Sequence, residues 1–381
     1  MVDGPIPITP SRPTEMEKKM LPQERRRRLL AAMAEAGIEH MVLYGNGWQG
    51  DYLRYATDFG ILEGHGTAIV AANGTTQLFL DSATDAERAA AETDDVEIHL
   101  APDIASTVGA QLERATGYLA AAPRRFLPQW LTRQQRNFAL TDCTALLDRL
   151  MMHKLPSENA AIRRAAKIAD EAYEVFLHAV KPGRKQYELV ADVESYLRSR
   201  GCPDNFMILG SGSKDVLGMT PPSERRIAAG DLVTTELTPA VDGYYAQICR
   251  TCVAGKATEA QLRAFDLFRE ALEAGIAAVK PGATAADVAR AENDVFRRHG
   301  LGEYTSSKWT RVRGHGMGLF ADSKPHILED VDVPLVPGMA LIVHPNTYHP
   351  DVGYLVLGDA VVVTETGAEV LCGTPRRLFE V

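Results

Sequence analysis

The tetrapeptide Val180-Lys181-Pro182-Gly183 returns 99 residues later as Val279-Lys280-Pro281-Gly282. A repeat of this length constrains the fold more than any single element, because each copy must be a unit that can bury its apolar face against the other. The offset persists: Asp192-Val193-Glu194, in an amphipathic stretch ending at Arg200-Gly201, matches Ala291-Glu292-Asn293, in one ending at Arg298-His299-Gly300. After one insertion the register becomes 108, which lays Gly230-Asp231-Leu232-Val233-Thr234-Thr235-Glu236 over Gly338-Met339-Ala340-Leu341-Ile342-Val343-His344. In both, a turn glycine leads a run that suits a buried strand and ends in a residue able to bind a proton or a metal. Two such units predict a central polar cleft with Glu236 and His344 aimed into it.

The 381 residues leave room for a second domain ahead of the repeat. Residues 1–154 alternate helix and strand: an amphipathic helix near Gln23 to Ala36, the apolar His40 to Tyr44, then runs at Gly66 to Ala72 and Gln77 to Leu80 around the turn Asn73-Gly74. The boundary falls at Lys154-Leu155-Pro156-Ser157. Pro156 stops what precedes it, and Ile162, Ala165, Ala169, Tyr173, Phe176 and Val180 then recur at helical spacing, so residues 155–381 form the second domain. A net charge of −9 argues against nucleic acid as a partner. Arg25-Arg26-Arg27-Arg28 reads as a solvated helix face. No apolar run reaches the roughly 18 residues of a membrane helix, and Met1 to Pro13 lacks a signal-peptide core, so the expected location is the cytoplasm, away from membranes. Five cysteines without a disulfide rhythm agree with that. Cys249 and Cys252 lie three apart in a strand pattern and read as structural.

From about Lys154 to Leu371 the chain resembles the creatinase/aminopeptidase P/methionine aminopeptidase superfamily. The resemblance is carried by Ser211-Gly212, Gly230 to Val233, Gly243-Tyr244 to Arg250-Thr251, Gly314-His315-Gly316-Met317-Gly318-Leu319, Pro337-Gly338-Met339 and Val363 to Gly367, in that order. It implies an α+β, pita-bread catalytic domain with a pseudo-twofold internal repeat, preceded by a smaller α/β domain of the creatinase/prolidase kind. It also implies a homodimer in which the N-terminal domain, through a stretch such as Trp48, Tyr52, Arg54, Tyr55 and Phe59, lies near the partner's active site.

Metal peptidases of this superfamily hold two divalent ions with two Asp, one His and two Glu. Carried over position by position, these fall on Glu236, Gln247, His315, His344 and Gly358, the fourth within His344-Pro345-Asn346-Thr347-Tyr348 where the family reads Glu-Pro-Gly-x-Tyr. Two further histidines of the family fall on Met219 and Asp322. A neutral amide, an imidazole and a glycine cannot bridge and neutralise two divalent ions, so the expectation is no dinuclear site.

Three readings follow. The first is a metal-independent enzyme of creatinase type, with no cofactor, acting on a C–N or related bond in a small amino-acid-like or guanidino compound. In it His315, His344 and Glu236 are catalytic, while Gln247, Tyr245, Met219, Asp322 and Asp359 meet the substrate. The second keeps one divalent metal, Fe, Mn or Zn, on Glu236, His315 and His344. The third is a non-catalytic module that binds a small molecule or peptide.

Overall fold

The computed structural model describes residues 15–133 and 140–381; the polar start from Met1 to Pro13 lies outside them. The chain divides into two compact units, 1–151 and 152–381. No helix among the described residues is long and apolar enough to cross a membrane.

The first unit is built on a six-stranded sheet. Its strands are β1 (His40–Asn46), β2 (His65–Ala71), β3 (Thr76–Leu80), β4 (Glu97–Leu100), β5 (Leu119–Ala122) and β6 (Leu140–Asp142), ordered β4-β3-β2-β1-β5-β6. Val42, Ile69, Phe79 and Ala121 alternate onto one face and meet Ile104, Val108 and Leu112 of the helix Ile104–Arg114. The basic run departs from a uniformly solvated face. Arg25 is fully buried, paired with Asp58 and set over the Tyr55 ring, because the helix Glu15–Glu35 turns that position inward.

The second unit carries the repeat. The helices Pro156–Ala179 and Gln186–Ser199 of the first copy correspond to Glu259–Ala278 and Ala285–Arg298 of the second. Gly183 and Gly282, which end the repeated tetrapeptide, both take the left-handed backbone at φ 90° and 85° that side chains resist. The equivalent positions Lys185 and Thr284 make the same isolated bridge, to Arg226 and Pro334, before their helices start.

The strands of the first copy are β7 (Asn205–Gly212), β8 (Leu232–Val241), β9 (Tyr244–Tyr245) and β10 (Ile248–Val253). Those of the second are β11 (Gly314–Gly316), β12 (Ser323–His326), β13 (Ala340–Val343), the hairpin β14 (Thr347–His349) and β15 (Gly353–Leu355), and β16 (Gly358–Val363). The main path runs β12-β11-β13-β16-β10-β8-β7, every neighbouring pair antiparallel. Read outward from the β16/β10 seam, β10-β8-β7 mirrors β16-β13-β11, which is the pseudo-twofold relation the repeat demands. Each half buries its own apolar cluster, one around Tyr173, Phe176 and Val233, the other around Phe268, Phe296 and Leu341.

Candidate active site

One row of residues crosses the seam. Ile208 on β7 pairs with Glu236 on β8, Glu236 with Cys249 on β10, and Cys249 with Gly358 on β16. His344, one residue beyond β13, stands beside Gly358, so Glu236 and His344 are mirrored about the Cys249/Gly358 pair. His315 comes from β11, where Gly314 and Gly316 have no room for side chains: a Cβ on either would stand 2.1 Å from a neighbouring carbonyl oxygen.

These side chains line a cavity of about 410 Å³ with Phe206, Ile208, Met219, Gln247, Asn346 and Tyr354, and with Arg311 and Asp322 from the segments flanking β11. The volume lies within the range of small-molecule sites. The His315 and His344 rings meet edge to face, centroids 5.8 Å apart. His315 Nδ1 lies 2.9 Å from the Gly316 carbonyl, which can only accept, so in the neutral ring Nδ1 carries the proton and Nε2 the lone pair. Asn346 Nδ2 donates to Glu236 Oε1 at 2.7 Å. Asp322 gathers Arg311 and His326, the latter at 3.1 Å, and lies 3.8 Å from His315 Nδ1.

Burial sets the protonation of this cavity. It pushes the Glu236 carboxyl up to about 7, against the lowering hydrogen bonds from Cys249 and Asn346. It pushes His344 down to about 3, helped by neighbouring His315, and lowers His315 in turn despite Asp322. Burial alone would raise Asp322, but His326, His315 and Arg311 outweigh it and hold its carboxyl well below the usual range. At neutral pH both imidazoles are therefore uncharged and Glu236 is balanced between its two forms.

The expected residues divide. Glu236, His315, His344, Gln247, Met219 and Asp322 share the cavity. Tyr245 does not: its hydroxyl donates to Asp204, because the chain leaves the ladder between β9 and β10 and the parity linking residues 245 and 247 is broken. Asp359 does not either. It is fully buried behind the sheet, accepting from Arg250 Nη2 at 2.7 Å and from Arg376 Nε. Its neighbour Gly358 is on the cavity row, and strand alternation turns Asp359 the other way. In the N-terminal stretch Trp48 is 94% exposed, while Tyr55 and Phe59 are core and Tyr52 donates to Asp148. Sequence reasoning missed Asn346, Arg311, Tyr354 and Phe206. Only Asn346 had a signal, a polar side chain where the resembling family has glycine.

Two divalent ions do not fit these residues. Glu236 is the one carboxylate on the row, Gln247 and Asn346 are amides, and a Cβ at position 358 would stand 2.6 Å from the His344 Cβ and 2.9 Å from the Val343 carbonyl oxygen. The single-metal set of Glu236, His315 and His344 is not assembled either: among the described residues no three or more His, Cys, Asp or Glu side chains are grouped to hold a metal.

Comparison with known proteins adds the family. The profile of metallopeptidase family M24 matches residues 160–365, and that of the creatinase/prolidase N-terminal domain matches 25–153. The Xaa-Pro dipeptidase of Pyrococcus furiosus is 31% identical over 232 residues, 60% of this chain and 66% of that protein. The probable dipeptidase PepE of Mycobacterium tuberculosis is 31% identical over 240 residues, 62% and 63% of the two chains. Both alignments span just under two thirds of the relative. Among solved structures, the Xaa-Pro dipeptidase from Bacillus anthracis superposes with a TM-score of 0.83 at 26% identity, covering 94% of this chain and 100% of that one. The prolidase from Pyrococcus horikoshii gives 0.83 at 23% identity, covering 93% and 99%.

These findings overturn two expectations. The relatives are dipeptidases, so the creatinase-type reading, with its guanidino or amino-acid-like substrate, has no counterpart among them. A metal-free enzyme is likewise not what a metallopeptidase profile over more than half the chain supports. The donor set and the family thus disagree about metal.

Proposed function

The chain belongs to metallopeptidase family M24, and from that membership we propose that it is a hydrolase of Xaa-Pro dipeptides or peptide substrates of similar size. The observation that carries the reading is a buried carboxylate, Glu236, facing a cavity of about 410 Å³ together with two uncharged imidazoles. The names of the relatives supply the substrate class.

In this reading Glu236 takes the proton of the attacking water, since its raised pKa suits a base working near neutrality. Burial keeps the Tyr354 phenol protonated, so it has an O–H to offer the carbonyl oxygen as charge develops there. The proton that Glu236 takes from water can pass by way of the His315 Nε2 lone pair to the leaving nitrogen, which returns Glu236 to its ionised form. Phe206, Ile208 and Met219 form an apolar wall for a prolyl ring, and Arg311 at the mouth suits a terminal carboxylate. Pairing of two copies belongs to the same proposal, supported by the exposure of Trp48 at 94% and Leu62 at 66%. A single-subunit mass by light scattering at micromolar concentration would remove that part.

The test is release of free proline from a panel of Xaa-Pro dipeptides, with Xaa-Ala controls. It is run on chelator-treated protein and again after addition of Mn²⁺, Co²⁺ or Zn²⁺. Preferential cleavage of Xaa-Pro is expected. No proline release under any of these conditions overturns the proposal.

A further inference from the structure

We propose that Asn346 is a positioning residue for Glu236, holding one carboxylate oxygen so that the other keeps a single direction in the cavity. The amide's own orientation is fixed first. The Leu357 backbone N–H donates to Asn346 Oδ1 at 3.0 Å, which makes Nδ2 the only group that can face Glu236, and it donates to Oε1 at 2.7 Å. Both side chains are buried, Asn346 at 3% exposure and Glu236 at 8%, so water does not compete freely for the bond. Rotation about the terminal Glu236 bond, broad for a free carboxylate, is thereby restricted, alongside the weaker thiol bond from Cys249.

The clamp is itself anchored. Arg313, 1% exposed, donates from Nη1 to the Asn346 carbonyl at 3.3 Å and from Nε to Asn293 Oδ1 at 2.6 Å, with its guanidinium over the Phe296 ring. Asn293 donates on to Glu329 at 2.7 Å. The His344 backbone N–H is tied to the Arg313 carbonyl at 3.0 Å, so one buried arginine sets the backbone on either side of Pro345. A glycine at position 346, as in the resembling Glu-Pro-Gly-x-Tyr pattern, has no side chain with which to reach Glu236.

The kinetic arm of the test rests on the peptidase reading; the structural arm does not. Asn346→Gly removes the donor, and Asn346→Leu removes it while preserving size and adding no charge beside Glu236. In crystal structures of the wild-type protein and both variants, the Glu236 carboxylate is expected to turn or split into two orientations in the variants alone. With a cleaved Xaa-Pro dipeptide, kcat should fall by roughly 10- to 100-fold in both while KM stays within about twofold, the size of effect that misorientation of a reacting group produces. An Asn346 that only fills space would leave kcat intact in Asn346→Leu, and an unmoved carboxylate in both variants overturns the proposal outright. If the wild-type protein releases no proline, the peptidase reading falls and the crystal structures still decide the role of Asn346.

Discussion

Glu236 and His344 line one cavity from the same row of the sheet and respond to the same burial in opposite directions, because burial penalises whichever form is charged. For Glu236 the folded pKa of about 7 lies above the ordinary 4.5. Below pH 4.5 the carboxyl is protonated in both states and costs nothing; as pH rises through 7 the folded state must hold a buried charge and stability is lost. At about 1.4 kcal/mol per pH unit the loss is on the order of 3 kcal/mol. Urea denaturation should find Glu236→Gln more stable than wild type at pH 8 by roughly that amount, with the difference vanishing near pH 4; equal stabilities at pH 8 would refute the raised pKa. The same substitution should lower kcat by about 100-fold or more, as loss of a general base does. In the wild-type protein kcat/KM should rise with pH through an apparent pKa near 7. His344 runs the other way: its folded pKa of about 3 lies below 6.5, so stability is lost as pH falls from about 6.5 towards 3. His344→Gln should be the more acid-resistant protein in denaturation titrations at pH 4.

At the scale of strands, the seam between β10 and β16 decides which polar residues reach substrate. Alternation makes Gly358 part of the cavity row and sends Asp359 to the other side, where Arg250 and Arg376 enclose it and Arg250 also donates to the Thr374 carbonyl at 2.7 Å. A carboxylate beside a vacated ligand position was legible in the sequence, but its direction was not, because the residue at which β16 starts sets the parity. Tyr245 failed for a related reason: the two-residue period holds only while the ladder is continuous, and it is interrupted between Tyr245 and Ile248. Asp359→Ala strips the partner from a fully buried guanidinium and should cost about 3–5 kcal/mol of stability. If Asp359 acts only as a tie between strands, KM for a cleaved dipeptide stays unchanged while the denaturation midpoint drops. A raised KM at unchanged stability would return Asp359 to the site.

At the scale of the whole chain, the repeat at a 99-residue offset carried the architecture: it makes Glu236 and His344 symmetry mates, and they lie on one row of the sheet. What it could not carry was Asn346, whose importance lies in a contact to a residue 110 positions away, and Arg311, whose loop between Arg298 and Gly314 has no equal in the shorter connection between Ser199 and Asn205 of the first copy. The two units also differ in how they are held. Residues 1–151 have an apolar cluster of their own, whereas 152–381 join two clusters through the seam that Arg250 and Asp359 tie. Chains built from separate cores depart from a single two-state transition. Calorimetry of the full chain should therefore resolve two heat-absorption steps, and Asp359→Ala should move only one of them downward. One cooperative transition that shifts as a whole in Asp359→Ala would show instead that both units unfold together, and that the tie at the seam stabilises the entire molecule.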